Sequence, residues 1–526
     1  MTNSIKMLLK EALTTLGIEA GEFSLEHPND LKNGDYSTNV AIRYGHKEEI
    51  LEYLQKNKPD EIEKIELAGP GFINFYLSKE FFKKSLGEII KKDKKFGKGE
   101  HARGFKIMVE HTDPNPFKEF HIGHLMPNVI GSTLSRVFEW NGAEVKQANY
   151  QGDAGLHVAK AIWGILKGEK DPYVFGTKAF EQNDKAKEEI QEINKRIYDK
   201  SDPEINKVYK KGRQASLDEF EKVYKRLGSK FDYYFFESET SEVGKKIVLE
   251  NLEKVFEKGE GGAIVFKGEK FDPSLHTRVF INSQGLPTYE AKDLGNAKNK
   301  YDKYHYDFSV VVTGNEIKDY FRVVLEAMKQ VLPDLAKKTK HLPHGMLRLT
   351  TGKMSSRTGD VITAEELIED VKKKVKNNEA LAVGAIKYMI LRQAIGNDII
   401  FDIEKSVSTE GDSGVYLQYA YARTNSLLEK ADKKADPKGS RENFHEIERL
   451  LYRFPEVVER AGHEYAPHYI TTYLTELAGS FNNFYAHEQV IGDSPESAYR
   501  LAVVKAFNIV MKNGLDILGI PTPERI

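Results

Sequence analysis

The sequence predicts an α/β protein in three parts: a small α/β unit, an open parallel-sheet α/β domain and an all-α domain. Three observations lead there. From Phe105 the chain alternates strand, loop, helix and strand, and beyond Glu379 strand-like runs give way to long helical patterns. The first hundred residues carry a helix and strands of their own, set off by a Lys- and Gly-dense stretch from Lys91 to Arg103.

The 526 residues suffice for several domains, each with its own core. Lys plus Arg number 78 against 80 for Asp plus Glu, so the net charge of −2 gives no global attraction to polyanions. Any nucleic-acid surface must be a local basic patch. The absence of cysteine excludes disulfides and thiolate zinc sites. No stretch approaches the roughly 18 apolar residues of a membrane span, so a cytoplasmic protein without membrane contact is expected.

The opening helix spans about Ile5 to Leu16, with Leu8, Leu9, Ala12 and Leu16 at helical spacing. The run Gly71 to Leu77 reads as a strand and closes a first domain over residues 1–100. The second domain, 104–378, opens on the strand Lys106-Ile107-Met108-Val109-Glu110, a polar loop, a helix to about Trp140 and a strand from Val145 to Tyr150: one βαβ unit. A charged stretch from Asn183 to Leu227 reads as solvated helices within an insertion over about 165–260. Strand-like runs at Ala263–Phe266, Arg278–Ile281 and Ser309–Thr313 complete the open sheet. Residues 379–526 form the all-α domain, with helical patterns at Leu381–Ile395, Gly414–Ala431 and Tyr499–Leu518.

The segment Asp113-Pro114-Asn115-Pro116-Phe117-Lys118-Glu119-Phe120-His121-Ile122-Gly123-His124 falls between a strand and a helix start. Ligands of open α/β sheets bind there, where helix N-termini direct free N–H groups at phosphate. His121 and His124 share one face of the first turn and can donate to phosphate oxygens; Gly123 lets a nucleotide approach the backbone, and Pro127 falls in the first turn, where a missing N–H costs little. Surface histidines or two ligands of a metal site are the plainer alternatives, but neither calls for the intervening glycine, and no partner follows at metal spacing. A second element, Gly352-Lys353-Met354-Ser355-Ser356-Arg357-Thr358-Gly359, is a basic loop between glycines within about 345–365, able to close over a triphosphate.

In this order the two segments resemble the HIGH and KMSKS signatures of class I aminoacyl-tRNA synthetases. Asp113 through His124 is similar to the SPN-x-x-KP-x-H-x-GH run of arginyl-tRNA synthetases, Asn149 through Gly155 to their N-Y-x-GDWG segment, and Thr288 through Leu294 to their T-Y-x-x-x-D stretch. Gly414 through Arg423 and the tail Gly514 through Ile526 resemble the two ends of their anticodon-binding domain. Gly34 through Asn39 and Gly69 through Phe75 resemble their extra N-terminal domain. Ser356 stands at the second KMSKS lysine, with Lys118 in the place just ahead of HIGH, while Ala154 and His157 replace the usual Trp and Gln.

The resemblance implies a Rossmann-like catalytic domain between an N-terminal α/β domain at the tRNA elbow and a C-terminal all-α anticodon-binding domain. The implied reaction is ATP-dependent formation of arginyl-adenylate, then transfer of arginine to the terminal ribose of tRNA(Arg). It implies catalytic roles for Lys118, His121, Gly123, His124 and Lys353, and ATP contacts by His121, His124, His341, Gly345, Met346, Leu347, Lys353 and Ser355. Arginine contacts fall to Asn115, Asp153, His157, Glu237, Tyr289 and Asp293, with Glu237 and Asp293 gripping the guanidinium, since a planar cation with five donors calls for carboxylates. For tRNA the implied contacts are Phe72, Asn74, Tyr416, Gln418, Tyr421, Arg423 and Arg500. Mg²⁺ is expected with ATP and without a dedicated protein site, and the protein is expected to act as a monomer.

Overall fold

The computed structural model describes residues 1–350, 362–441 and 444–526. Its centre is a five-stranded parallel sheet in the spatial order Thr339–His344, Phe308–Gly314, Lys106–Glu110, Glu144–Gln151, Tyr233–Phe236. In chain order the strands therefore run outward in both directions from Lys106–Glu110, and the order reverses between that strand and Phe308–Gly314. Such a switch point leaves a crevice at the carboxyl ends of the strands.

Alternation along Lys106–Glu110 decides what covers each face. Ile107 and Val109 pack with Leu125 and Val129 of the helix Ile122–Trp140. Met108 packs with Ala148, Phe235 and Tyr306 on the opposite face. Glu110 shares that second face, which is covered by the helix Tyr289–Lys303: Asn296 donates to Glu110 Oε2 at 2.9 Å and the Lys300 ammonium lies 2.8 Å away.

Four departures from the sequence reading have physical causes. The runs around Ile264–Lys267 and Thr277–Ile281 do not extend the central sheet; with Glu257–Lys258 they form a separate antiparallel sheet. Tyr233–Phe236 is instead the edge strand of the central sheet, its aromatic run lacking the alternation that betrays a half-exposed strand. Past residue 379, Ile399–Phe401 still pairs, in parallel, with Leu347–Leu349, so the last third is not wholly helical. Finally, the charged insertion is solvated on one face only: Ile190, Ile193, Ile197 and Ile205 build a small core with Val158 and Ile162.

Residues 1–92 form a four-stranded antiparallel sheet, Leu25–Glu26, Tyr36–Thr38, Phe72–Leu77 and Ile62–Ala68, backed by the helices Thr2–Thr15 and Lys47–Asn57. The C-terminal helices Gly414–Lys430, His468–His487 and Ser497–Leu518 pack together and against Ile122–Trp140 in one continuous core. The N-terminal unit docks onto this helical part through Tyr452 and Phe444, which join its core, through Asp35 paired with Arg449 at 3.2 Å, and through the carboxylate of Glu456. Glu456 accepts from Tyr36 at 2.8 Å, from Thr2, and from His27 at 3.0 Å. Burial pushes this carboxyl up, but the three donors outweigh it and hold it at about 2.

A depressed folded value means that Glu456 contributes its stabilisation above the ordinary carboxylate range and loses it as pH falls from about 4.5 towards about 2. Glu456→Gln is expected to cost ~1–3 kcal/mol and to remove that part of the acid dependence. Thermal melts across this window, with proteolysis between the two units as a second readout, check both.

Candidate active site

Three non-glycine residues between Glu110 and His121 take left-handed backbone: Thr112 at φ 82°, Asp113 at 46° and Phe117 at 68°. For a β-branched residue such as Thr112 this is strained, so other contacts must hold it. Asn128 donates to Thr112 Oγ1 at 3.1 Å, the Tyr150 N–H donates to Asp113 Oδ1 at 2.7 Å, and Ser216 of the insertion accepts from Phe117 N at 2.9 Å. The loop thereby turns back over the switch point. It forms one wall of a cleft of about 510 Å³ lined by Thr112, Asp113, Asn115, His121, Gly123 and His124. The facing wall is Val312, Thr313, Gly314, Glu316 and the His344–Leu347 turn.

His121 is the N-cap of the helix Ile122–Trp140. Its Nδ1 accepts from Gly123 N at 3.1 Å, and its own N–H donates to Nδ1 of His124 at 3.3 Å. With both Nδ1 atoms accepting, the protons of the neutral rings sit on Nε2. The rings stack at 3.8 Å. Burial, with the Lys118 charge nearby, lowers His121 to about 4 and His124 well below its ordinary value. The pair is thus two neutral N–H donors at a helix N-terminus. Gly123 is needed for a reason beyond nucleotide approach: a Cβ there would lie 2.8 Å from the His121 ring. Pro127 sits in the second turn, not the first, so the Gly123 carbonyl lacks its helical partner.

Carboxylates crowd the opposite end. Glu237 opens the helix Glu237–Glu250 and pairs with Lys292 at 2.6 Å, both side chains buried. Asp153 accepts from Tyr209, Arg213, Ser238 N and Ser238 Oγ, each at 2.8 Å. Both of its oxygens accept from the chain, Oδ2 from Tyr209, Arg213 and Ser238 Oγ and Oδ1 from Ser238 N. His157 Nε2 is bonded to the Gly152 carbonyl at 2.7 Å, and burial lowers it to about 3, so it too is neutral and internally engaged.

Asp293 accepts only the Tyr320 hydroxyl, at 2.6 Å, and no cation of the described residues pairs with it. Burial, with Glu110 and Glu237 adding repulsion, raises it to about 8 although the Tyr320 bond opposes this. Asp113 is likewise pushed well up, by burial and then by Glu110. Tyr289, one turn before Asp293, is about half exposed. Asn115 fits only because residue 152 is glycine, where a Cβ would come within 2.1 Å of its Oδ1. Lys118 rests with Nζ 5.0 Å from the Tyr173 ring. Lys353 and Ser355 lie outside the described residues. Beyond them Ile362 lines the cleft and its carbonyl accepts from Ile122 N at 3.2 Å.

The family model described as tRNA synthetases class I (R), catalytic domain, matches residues 85–403, more than half of the chain. The chain belongs to the arginyl-tRNA synthetase family. It is thereby an ATP-using arginine–tRNA ligase. An arginyl tRNA synthetase N-terminal domain matches residues 3–77 and a DALR anticodon binding domain 417–526. Arginine–tRNA ligase from Borreliella burgdorferi is 31% identical over 90% of this chain and 88% of its own. That from Halothermothrix orenii is 30% identical over 99% and 98%. The Thermus thermophilus arginyl-tRNA synthetase structure superposes with a TM-score of 0.76 at 22% identity, covering 100% of both chains.

Several family-implied residues are engaged elsewhere. His341 does not line the cleft; it meets Thr313 Oγ1 at 2.7 Å and stacks on Phe321 at 4.0 Å. His344 lines it instead, with Nδ1 at 2.6 Å from the Gly345 carbonyl and Nε2 buried without a partner among the described residues. Gly345, Met346 and Leu347 do line the cleft. Among the tRNA candidates, Asn74 is buried and accepts from Ser37 at 2.7 Å, while Gln418 is buried and donates to the Ala380 and Pro521 carbonyls at 2.9 and 2.8 Å. Tyr421 is buried, and Arg500 is paired with Glu488 and Glu496 at 2.6 and 2.9 Å. All four have partners or packing within the chain itself. Phe72, Tyr416 and Arg423 remain accessible, with Asn482 bridging Arg423 and Tyr416 at 3.3 and 2.7 Å and Tyr485 beside them. Sequence reasoning missed Asp113, Lys292, Tyr320 and His344; of these, only Asp113 in place of the family's serine carried a signal.

Neither histidine should titrate between about pH 5.5 and 7.5. Histidine Cε1 NMR titration is expected to give a His121 midpoint of about 4. Gly123→Ala, by displacing that ring, is expected to lower kcat/KM for ATP about 10²-fold with the melting temperature little changed.

Proposed function

We propose the following division of labour for the ligation of arginine to tRNA by this chain. The ATP triphosphate lies over the N-terminus of the helix Ile122–Trp140 and accepts from His121 and His124 Nε2–H, with Lys118, and Lys353 and Ser355 from the basic loop, supplying charge. Gly345, Met346 and Leu347 support the adenosine, and the free acceptor on His344 Nε2 suits its exocyclic amine. His341 supports the strand beneath.

Arginine enters the carboxylate end. Asp293, oriented by Tyr320, takes the guanidinium, with Tyr289 against its plane. Asp113 and Asn115 hold the α-ammonium, which leaves the carboxylate facing the triphosphate. Its oxygen attacks the α-phosphorus in line, the bond to the bridging oxygen breaks, and pyrophosphate leaves. A terminal ribose hydroxyl of the tRNA, the 2′ one as in class I enzymes, then attacks the adenylate carbonyl and AMP departs. Mg²⁺ arrives with ATP in this reading; among the described residues no group of three or more His, Asp or Glu side chains that could hold a metal ion is gathered. Phe72 meets the tRNA elbow, and Tyr416, Arg423, Asn482 and Tyr485 meet anticodon bases by stacking and phosphate attraction. The enzyme acts as a monomer in the cytoplasm; no described helix is long and apolar enough to cross a membrane.

The observation that carries this reading is Asp293: a carboxylate with one neutral partner, the Tyr320 hydroxyl, and no cation of the described residues beside it, in an enzyme whose substrate is a cation. Because its value in the empty site is raised to about 8, it is largely protonated below that pH and ionises as it rises. The arginine KM should therefore fall as pH increases towards about 8, and Asp293→Asn should abolish that dependence. The same variant should cut preference for arginine over citrulline by at least about 10²-fold; undiminished preference in ATP–pyrophosphate exchange with tRNA present would overturn the reading. Separately, Arg423→Ala should raise the tRNA KM about three- to tenfold and leave the arginine KM unchanged.

A further inference from the structure

Glu237 is the second carboxylate that the family pattern offers to the guanidinium, yet it already has a cation. Lys292 Nζ lies 2.6 Å from its Oε2 and 3.3 Å from the Ala154 carbonyl. The ammonium also faces the Tyr289 ring at 5.1 Å and the Tyr198 ring at 5.6 Å. The two side chains are only 4% and 7% exposed. A carboxylate, a carbonyl and two aromatic faces make a closed cage for one ammonium ion.

We propose that Lys292 is a resident counter-charge that holds Glu237 in both the empty and the arginine-bound enzyme, so that Asp293 is the single carboxylate left for the guanidinium and Glu237 is a positioning residue.

Two arguments favour a resident cation over one that the substrate displaces. Exchanging a buried lysine for an incoming guanidinium gains only the difference between two pairings, and it leaves the evicted ammonium to find another partner. Besides Glu237, the oxygens it meets among the described residues are neutral: the Ala154 carbonyl and the Tyr198 hydroxyl. Lys292 and Asp293 are neighbours on one helix, about 100° apart around its axis, so the side chains diverge, Lys292 to Glu237 and Asp293 to Tyr320. Lys292 therefore cannot cancel Asp293. What the pairing does is fix Glu237, the first residue of its helix, beside Gly152, where a Cβ would lie 3.1 Å from Glu237 Oε1 and 2.1 Å from Asn115 Oδ1. Lys292 thereby sets both the charge of the pocket and the place of Glu237 beside the Gly152 turn.

The inference rests on Asp293 marking the arginine site, and its test is separable from that reading. Arginine-dependent ATP–pyrophosphate exchange, with tRNA, is measured on the full chain for Lys292→Met, Glu237→Gln and the double variant. Each single variant leaves one buried charge unpaired and should raise the arginine KM tenfold or more; the double variant, neutral at both positions, should return to within about threefold of the parent. If Glu237 binds the guanidinium directly, the double variant stays as impaired as Glu237→Gln, and Lys292→Met lowers the KM by removing a competitor. Either result overturns the proposal, as does an unchanged KM in the single variants. Should Lys292→Met fold poorly, Lys292→Ala supplies a second arm: n-propylammonium chloride should restore its arginine KM, and no rescue counts against the proposal. Unaltered selectivity in Asp293→Asn would instead sink the site assignment while leaving the Lys292–Glu237 coupling intact.

Discussion

A carboxylate taken out of water is tolerated when a cation meets it, and the catalytic domain is organised by where that rule is obeyed and where it is not. Three pairs obey it: Glu110 with Lys300 at 2.8 Å, Glu237 with Lys292 at 2.6 Å and Asp153 with Arg213 at 2.8 Å. They join, respectively, the helix Tyr289–Lys303 to the central strand, the same helix to Glu237–Glu250, and the helical insertion to the Gly152–Gly155 turn. Asp113 and Asp293 have no such cation, and both are pushed towards the protonated form. Free arginine carries two positive groups, the guanidinium and the α-ammonium, so the deficit matches the substrate in number as well as in sign.

The same geometry explains the strained backbone. Thr112, Asp113 and Phe117 take left-handed conformations that a free loop would avoid. They are held by a strand (Tyr150 N–H), by a helix beneath (Asn128) and by the insertion (Ser216). The insertion that looks like a solvated appendage in the sequence thus acts as a buttress, through Ser216 on the loop and Tyr209 and Arg213 on Asp153. The loop that carries Asn115 thus depends for its shape on a segment remote in sequence.

Legibility from sequence followed local periodicity. The βαβ unit from Lys106 to Tyr150 was readable because a strand, a helix start and a second strand lie within one window, and the histidine pair falls at its junction. Tyr289 and Asp293 were readable as one face of a helix because four residues make about one turn. Pairings across the chain were not. Nothing near Lys292 announces Glu237, which is 55 residues away. Nor is it legible that Gln418 meets the carbonyls of Ala380 and Pro521, or that Arg500 meets Glu488 as well as Glu496. Likewise, the strands Ile264–Lys267 and Thr277–Ile281 have the right composition for the central sheet, and only their antiparallel register assigns them to another.

One question of residue choice remains: why a nucleotide site beside this acid pocket uses two neutral histidines at the helix start. Lysines at 121 and 124 would bring more charge to a triphosphate, but Asp113 lines the same cleft as His121 and His124. A flexible ammonium there could swing to the unpaired carboxylates and cancel the deficit that selects arginine. Neutral Nε2–H groups, fixed by the capping bonds on Nδ1, direct donors at phosphate without offering a mobile charge to the acids. The one cation that precedes the pair, Lys118, rests with Nζ 5.0 Å from the Tyr173 ring. The two substrates meet with opposite charges at one switch point, and the chain keeps its own charges from short-circuiting them.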